Sequence, residues 1–511
     1  MHDELATASH PADAHNFDVV VIGSGFGGSV AANRLALAGQ RVLVLERGPW
    51  RDSLPVRSMG VVRRSPFPYG TKAFTHLLHS LHRGRLSLHL NKAGMYEFCS
   101  FPGLNVLVAS AVGGGSTAYG GLLEAPRNPT FWHNRHPNLD PTAIERYYEK
   151  VIADMGGVRL SRAHLLPQSV WTHFPADAGR RCQAADPQPH MALLIPPAAD
   201  AAGQSIEFGP ASVQRKYCSF DGDSFLGSPG GAKASVDFVY LAPVLNKGVT
   251  VRDLCRVNRI QPSCSADGPG YVVNFTDLAT RTDAVLRVRR VVLAAGTLNT
   301  QRLLFKSVLQ SGGLTPMPSL GRTFGGNGDL TGVWLKKSIS PSSFTSPPSQ
   351  GALTVSGYES IAYGMGGFPG VETLPIPAFV KRRLARSLFL YGIGADSGKA
   401  SVTFKSGHLQ LDYDHHREPV FDDVRGGFRV LEAESATKIW TSGKPLSVHP
   451  WGGACVGPNV DRGVIDHRGE IYGNPGLFVA DSAALPAAPG GPPSLAIAAW
   501  AHHVADGMLP A

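Results

Sequence analysis

FDVVVIGSGFGGSVAANRLALAGQRVLVLERG, residues 17–48, is the most informative pattern in this 511-residue chain. The apolar run 19–22 predicts a buried strand, and the glycine-rich segment 23–28 predicts a tight turn. A helix-compatible segment follows at 29–38, and a second apolar run at 42–45 ends at Glu46. Strand, glycine turn, helix, strand and acidic residue thus succeed one another at the spacing of a βαβ unit.

Three glycines of that turn have separate physical roles in binding a dinucleotide. Gly23 allows the tight turn, Gly25 lets the backbone approach a pyrophosphate, and Gly28 lets the helix pack closely on the sheet. The helix N-terminus offers free N–H groups and a partial positive charge to phosphate. Glu46 suits the ribose hydroxyls and leaves no room for a 2′-phosphate, so the pattern favours FAD or NAD over NADP. The predicted binding residues here are Gly23, Gly25, Phe26, Gly27, Gly28, Glu46 and Arg47.

Composition indicates a globular enzyme with room for two domains and a large core. The net charge is +9, but the 48 basic residues are scattered, which favours a basic globular protein over a nucleic-acid-binding one. Six cysteines without a CxxC pair predict free thiols in a reducing compartment, and therefore a cytoplasmic location. Residues 1–16 are polar and predict a disordered lead-in rather than a signal peptide of the usual kind.

The order of predicted elements indicates an α/β fold with two interleaved domains. Dinucleotide-type elements lie at both ends of the chain and around residue 290, with less regular blocks between them. We assign 17–150, 226–314 and 441–511 to one domain, and 151–225 and 315–440 to a second, substrate-binding one. Helices are predicted over 140–155, 297–306, 421–440 and 495–505, and strands over 285–295, 401–404 and 409–413.

Four further segments carry glycine, proline or histidine in distinctive order. They are the glycine loop VGGGSTAYGG at 112–121, LAAGTL at 293–298, HPWGGAC at 449–455, and GLFVAD at 476–481 with GGPP at 490–493. Together with residues 17–48 they resemble the glucose–methanol–choline (GMC) flavoprotein oxidoreductases, and among them the bacterial cholesterol oxidase branch. The likeness extends from residue 17 to about residue 508.

This resemblance implies a bound FAD, a Rossmann-like FAD-binding domain, and a second domain in which a large mixed or antiparallel sheet roofs the flavin. It implies that His449 is the active-site histidine and that Asp481 lies near the ribityl chain. It also implies that the backbone at Val257 meets adenine. The further cofactor-binding residues expected from it are Gly113, Gly114, Gly115, Ser116, Tyr119, Ala295, Gly296 and Pro493.

The sequence departs from the family pattern at two places that concern the reaction. Cholesterol oxidases carry an asparagine where this chain has Pro492, which offers neither a side-chain donor nor an N–H. The carboxylate that they use as a base is replaced by Tyr363 in the best alignment, with Glu359 close by. Tyr119 stands where a different polar residue is usual.

The expected reaction is hydride transfer from an alcohol to flavin N5, with His449 as proton acceptor. The expected alcohol is bulky and apolar, such as a sterol or terpenoid. Tyr363 is the second candidate catalytic residue, and either Tyr363 or Tyr119 would orient the substrate hydroxyl. Because of Pro492, an alternative remains open, in which the fold binds FAD for an isomerase, lyase or other non-oxidase step. An NAD-dependent dehydrogenase is disfavoured, because all five segments match the flavin family.

Two basic segments suggest other partners. His76, His79 and His82 have helical spacing, but without a suitably spaced acid or cysteine we expect a helical face and no metal site. The segment 379–389 mixes arginine and lysine with apolar residues. It predicts either a surface helix or transient contact with a membrane surface.

Overall fold

The computed structural model describes residues 17–175, 180–209, 211–245, 247–265 and 268–510, so the predicted disordered segment 1–16 lies outside the described residues. A five-stranded parallel sheet lies at its centre. In spatial order its strands are Val249–Arg252, Val42–Leu45, Val19–Ile22, Arg290–Leu293 and Leu477–Val479. The strands Val19–Ile22 and Val42–Leu45 are fully buried, as expected for apolar runs covered on both faces.

Two helices pack against each other beside the parallel sheet. The helix Phe26–Leu37 begins directly after the glycine turn, and Ser494–Gly507 packs on it through alanine and other small side chains. Their close contact explains why so many glycines and alanines occur in both segments. The sheet and these helices contribute to the largest hydrophobic cluster of the described residues.

A six-stranded antiparallel sheet forms the second structural layer. In spatial order its strands are Lys438–Thr441, Leu330–Leu335, Ser387–Ile393, Ala362–Gly366, Gly351–Val355 and Cys182–Ala184. The helix Val420–Ser435 covers one face, where Val424 and Phe428 join Leu388 and Leu390 in a second cluster.

A five-stranded mixed sheet, hereafter the mixed sheet, lies beside the helix Thr297–Val308. In spatial order its strands are Leu446–Ser447, Asn105–Ala109, Tyr96–Ser100, Leu78–Arg83 and Leu86–His89. A three-stranded antiparallel sheet contains Cys255–Ser265, Gly268–Asp277 and Thr282–Val288.

Smaller pairings join Leu122–Leu123 and Val158–Arg159 to His190–Met191, Ser205–Phe208 to Val213–Lys216, Phe324–Gly325 to Trp451–Gly452, and Ser401–Lys405 to His408–Asp412. Shorter helices occupy Leu54–Ser58, Ala73–His76, Thr142–Glu145, Tyr147–Asp154, Val170–His173 and Ala378–Leu384, and single 3-10 or π turns occupy Gly70–Lys72, Gly114–Thr117, Ala199–Ala201, Asp237–Leu241, Ala242–Val244, Val371–Thr373, His415–Arg417 and Ser482–Ala484.

The predicted mixed α/β class is confirmed, while several predicted elements were wrong in extent. The predicted strand 285–295 is two strands in different sheets, because the chain leaves the three-stranded sheet after Val288 and enters the parallel sheet at Arg290. The predicted helix 421–440 ends at Ser435, and Lys438–Thr441 pairs at the edge of the antiparallel sheet.

The two basic segments also differ from their predictions. His79 and His82 lie on the strand Leu78–Arg83 rather than on a helix. In the segment 379–389 only Ala378–Leu384 is helical, and Leu388 is buried in the antiparallel sheet. Phe379 is 66% exposed on that short helix. Because the helix ends at Leu384 and Leu388 is buried, the apolar surface that faces outward is smaller than the sequence suggested.

Candidate active site

A cavity of about 500 Å³, hereafter the central cavity, opens at the carboxyl end of the parallel sheet. The mixed sheet and the helix Thr297–Val308 also line it. Most of the predicted site residues meet there, although they come from distant parts of the chain. They are Gly23, Gly25, Phe26, Gly27, Glu46, Arg47, Gly114, Gly115, Val257, Ala295, Gly296, His449, Asp481 and Pro493.

The glycines of the first turn serve two different purposes in the structure. A Cβ on Gly28 would lie 1.9 Å from the carbonyl oxygen of Gly23, so this glycine permits close packing of helix on strand. A Cβ on Gly25 would approach protein no closer than 3.9 Å, at the Cα of Gly114, and would project into the cavity. Gly115 and Gly296 also face open space. The backbone is therefore exposed where a pyrophosphate or flat ring would approach it.

Two buried carboxylates hold the walls of the cavity in place. Glu46 accepts hydrogen bonds from the Ser24 amide (2.9 Å), the Ser24 hydroxyl (2.7 Å) and the Gly48 amide (2.7 Å), and burial raises the pKa of its carboxyl. Asp481 accepts from the Gly296 amide at 2.8 Å and the Thr300 hydroxyl at 2.5 Å. Burial raises the pKa of Asp481 to about 6. Among the described residues, Oε1 of Glu46 accepts only from the Gly48 amide and Oδ1 of Asp481 only from the Ala483 amide, so each of these two oxygens keeps a lone pair for a ligand.

Four predicted residues support the cavity from behind or beside it. Gly28 packs the helix, as described above, and Gly113 has φ +95°, a conformation that glycine allows. The Ser116 hydroxyl donates to the Gly113 carbonyl at 2.7 Å. The Tyr119 hydroxyl donates to the Ala234 carbonyl at 2.8 Å, and its ring meets Phe26 edge-on. These contacts fix the shape of the glycine loop.

Tyr363 does not lie with His449 at the central cavity. It belongs to the strand Ala362–Gly366, and its ring packs near Phe428 in the cluster beneath the covering helix. Its hydroxyl donates to the backbone carbonyls of Asp423 (2.9 Å) and Val424 (3.3 Å). The structure thus uses this hydroxyl within the fold.

His449 is paired with a carboxylate that sequence reasoning missed. Nδ1 of His449 lies 3.0 Å from Oδ1 of Asp329, which is 4% exposed, while the imidazole is 21% exposed. Oδ2 of Asp329 accepts from the amides of Val448 (2.9 Å) and His449 (3.1 Å). Asp329 precedes the strand Leu330–Leu335 and belongs to no motif. The available signal was a pair of polar residues, Asn327 and Asp329, on either side of Gly328 just before a strand.

Comparison with known proteins identifies the family. Residues 92–325 and 410–501 match the N- and C-terminal sequence models of GMC oxidoreductases, and residues 18–63 match an FAD-binding domain. The chain belongs to the GMC oxidoreductase family. A cholesterol oxidase from Mycobacterium tuberculosis is 26% identical, with 96% of this chain and 91% of the relative covered. One from Acinetobacter baumannii is 24% identical, with 96% and 94% covered.

More distant relatives include a second kind of alcohol oxidase. A long-chain-alcohol oxidase from Arabidopsis thaliana is 21% identical, with 96% of this chain and 66% of the relative covered. Prolycopene isomerases from an Oncidium hybrid match only 57 residues, at 46% identity. This GMC oxidoreductase is accordingly an FAD-dependent oxidoreductase acting on alcohol donors.

The charge around the central cavity suits an anionic cofactor. Arg47 and Arg302 lie 2.7 Å and 3.2 Å from the buried Glu97, and His82 lies 3.1 Å from it. Although burial alone would raise the pKa of Glu97, the two arginines hold it well below its ordinary value. Arg256 and Lys306 add further positive charge to the lining. The excess of cations favours negatively charged groups such as phosphates.

His79, His82 and His89 of the mixed sheet also line the central cavity. Across the described ranges, no three histidine, cysteine or acidic side chains are arranged to hold a metal ion. Within the same ranges, no helix is both long and apolar enough to cross a bilayer.

Proposed function

We propose that this GMC oxidoreductase oxidises a bulky apolar alcohol, such as a sterol or terpenoid, and that His449 accepts the hydroxyl proton. The observation that carries the proposal is the hydrogen-bonded pair of His449 and Asp329 at the central cavity. An imidazole held by a buried carboxylate is a common arrangement for proton transfer.

The hydrogen bond to Asp329 determines which nitrogen of His449 can accept a proton. A carboxylate only accepts hydrogen bonds, so Nδ1 of His449 carries the hydrogen and donates the hydrogen bond to Asp329. Nε2 of the neutral ring then holds a free lone pair and can take the substrate hydroxyl proton. Asp329 stabilises the imidazolium that forms, as the carboxylate does in a catalytic triad. FAD, when bound, supplies the hydride acceptor for the carbon-bound hydrogen.

The residues that would hold FAD are those that form the walls of the central cavity. Gly25, Gly115 and Gly296 present backbone without Cβ atoms in the way. Glu46 would take the ribose and Asp481 the ribityl hydroxyls, both as acceptors. The N-terminus of the helix Phe26–Leu37 would face the pyrophosphate.

The antiparallel sheet carries an apolar cluster on the face opposite the covering helix. Leu388 and Leu390 pack under the covering helix, so Phe389 points to the opposite face by strand alternation. There it joins a half-buried cluster with Val333, Phe344, Phe368 and other apolar side chains. By their names, relatives along most of the chain act on cholesterol and long-chain alcohols.

The deciding experiment is anaerobic reduction of the bound flavin by a panel of sterols, terpenols and aryl alcohols. We expect bleaching by at least one bulky apolar alcohol and little by short polar ones. Pro492 favours a second candidate, a non-oxidase reaction on the same FAD scaffold. If a fully loaded protein is bleached by no alcohol in the panel, the oxidase proposal fails and the isomerase or lyase alternative gains support.

A further inference from the structure

A second carboxylate lies against the segment in which Pro492 occurs. Glu124 follows the short strand Leu122–Leu123, and its Oε2 lies only 3.2 Å from the position that a Cβ on Gly491 would take. Gly491 immediately precedes Pro492, and Pro493 lines the central cavity. The family resemblance indicates that Pro492 replaces an asparagine and that Tyr363 replaces the carboxylate used as a base by cholesterol oxidases.

Glu124 is linked to the His449 site through one buried asparagine. The Asn327 side chain accepts from the Gly490 amide and donates to the Gly491 carbonyl, both at 2.9 Å. Asn327 is two residues from Asp329, the partner of His449. A single short segment therefore holds both the histidine and the 490–491 loop against which Glu124 rests.

The Glu124 side chain is half-buried, and its carboxylate is not used in the hydrogen bonding of the described fold. Within the part of the chain that the structure describes, it accepts no hydrogen bond and forms no ion pair. Burial raises its pKa, and the charge of Arg127 opposes that effect. Tyr391 is the other titratable group facing it. Neither carboxylate oxygen is among the fully buried, unpartnered atoms of the described residues, so both oxygens are open to water or to a ligand.

We propose that Glu124 is a further polar residue of the alcohol site, whose carboxylate accepts a hydrogen bond from the substrate hydroxyl. This inference rests on the proposed function. Glu124 would thereby supply the side-chain contact that Pro492 lacks, from a different part of the chain.

The proposed role conserves protons and electrons without a further reactant. Glu124 orients the hydroxyl, and the hydroxyl proton passes to Nε2 of His449. The carbon–hydrogen bond breaks with its electron pair leaving as hydride to the FAD, and the carbon–oxygen double bond forms. Glu124 has the same protonation state before and after.

The test is Glu124→Gln, with Glu149→Gln on the exposed face of the helix Tyr147–Asp154 as a matched control. We expect the affinity for the best alcohol, measured by flavin reduction, to fall about 10-fold, because the glutamine oxygen exchanges a charge-assisted hydrogen bond for a neutral one. The affinity for the corresponding ketone, measured by perturbation of the flavin spectrum, should not fall, because a ketone donates no hydrogen bond. Glu149→Gln should leave both affinities unchanged.

A readout independent of turnover comes from thermal unfolding. Since the folded-state pKa of Glu124 is raised, the contribution of Glu124 to wild-type stability falls as pH rises above the ordinary glutamate pKa, near 4.3. Glu124→Gln should therefore gain stability relative to wild type between pH 4 and pH 8, while it loses alcohol affinity. Gly491→Ala, whose Cβ would press on Oε2, should weaken alcohol binding with Glu124 still present.

The outcomes separate this inference from the proposed function. If His449→Ala abolishes alcohol oxidation while Glu124→Gln leaves alcohol affinity within twofold, the Glu124 inference is overturned and the oxidase proposal stands. Equal losses of alcohol and ketone affinity would also overturn it, because they indicate a general loss of shape. If no alcohol reduces the wild-type flavin, the proposed function itself fails.

Discussion

Replacing Asp329 by asparagine tests the proposed proton transfer most directly. The isosteric amide keeps one acceptor oxygen and gains a donor. Oδ2 of Asp329 receives the amides of Val448 and His449, so the amide oxygen should take that position. The new NH₂ group would then face Nδ1 of His449, 3.0 Å away. That contact stabilises the tautomer that carries its hydrogen on Nε2. In this tautomer Nε2 has no free lone pair and cannot accept the substrate proton.

The size of the expected effect follows from this tautomer change. Loss of a general base typically costs about 10²- to 10⁴-fold in rate, or about 2.7–5.4 kcal/mol at 1.36 kcal/mol per tenfold. The effect should lie toward the upper end, because the asparagine opposes the reactive tautomer as well as removing the charge that stabilises the imidazolium.

The assay is the anaerobic rate of flavin reduction by the best alcohol, with FAD content measured in the same preparation. Asp396→Asn is the matched control. It changes a carboxylate that is 7% exposed and that accepts from the Trp451 indole N–H, the Tyr413 hydroxyl and the Gly326 amide, but not from the imidazole. A reduction rate for Asp329→Asn within about threefold of wild type, at equal FAD content, would refute the proposed role of the pair. A similar loss in Asp396→Asn would attribute the effect to general disturbance of the loop.

Three further substitutions address the cofactor, the base and the proline, and a fourth addresses stability. Gly25→Val should abolish FAD loading, measured as flavin absorbance per protein, because its side chain would fill the pyrophosphate approach; loading above half of wild type would contradict this. His449→Ala should retain FAD yet reduce the rate of flavin reduction about 10²- to 10⁴-fold, and a change of only twofold would exclude it as proton acceptor. Pro492→Asn should raise alcohol oxidation if the proline merely impairs an oxidase; no gain at unchanged FAD content would move support to the non-oxidase alternative. Burial lowers the pKa of Lys233 to about 7, so its contribution to wild-type stability should rise from pH 7 to pH 10, and the free energy of unfolding of wild type minus that of Lys233→Met should increase over that range; a constant difference in urea unfolding would contradict it.

The cofactor and the family could be predicted from sequence because they depend on local pattern. Residues 17–48 form a complete strand–turn–helix–strand unit, and the role of each glycine depends on its immediate neighbours. Gly28 shows this directly, since its Cβ would collide with Gly23 only five residues away. The predicted FAD cofactor and GMC family are accordingly confirmed.

The elements that failed depend on contacts between distant segments. The run 285–295 is uniformly favourable for strand, and only the two separate sheets that receive its halves require the break between Val288 and Arg290. His79 and His82 have helical spacing, but pairing with the strand Tyr96–Ser100 places them in a sheet. The predicted domain boundaries, the individual site roles and the cytoplasmic location stay predictions.

The polar residues around the reaction centre show most clearly why motif reasoning stops short. A motif identifies His449 because the histidine is tied to its neighbours in sequence. Its partner Asp329 lies 120 residues away in the sequence. Any segment that the fold brings to the imidazole can supply such a carboxylate. The same holds for Glu124, which reaches Gly491 across an even longer stretch of chain. Proline at position 492 offers no side-chain hydrogen bond to the substrate. This does not show that the site lacks such a hydrogen bond altogether. A carboxylate on another segment can provide that contact, provided that its own hydrogen-bonding capacity has been left unused by the fold. Glu124 meets that condition, whereas Tyr363, whose hydroxyl is already bonded to the backbone, does not.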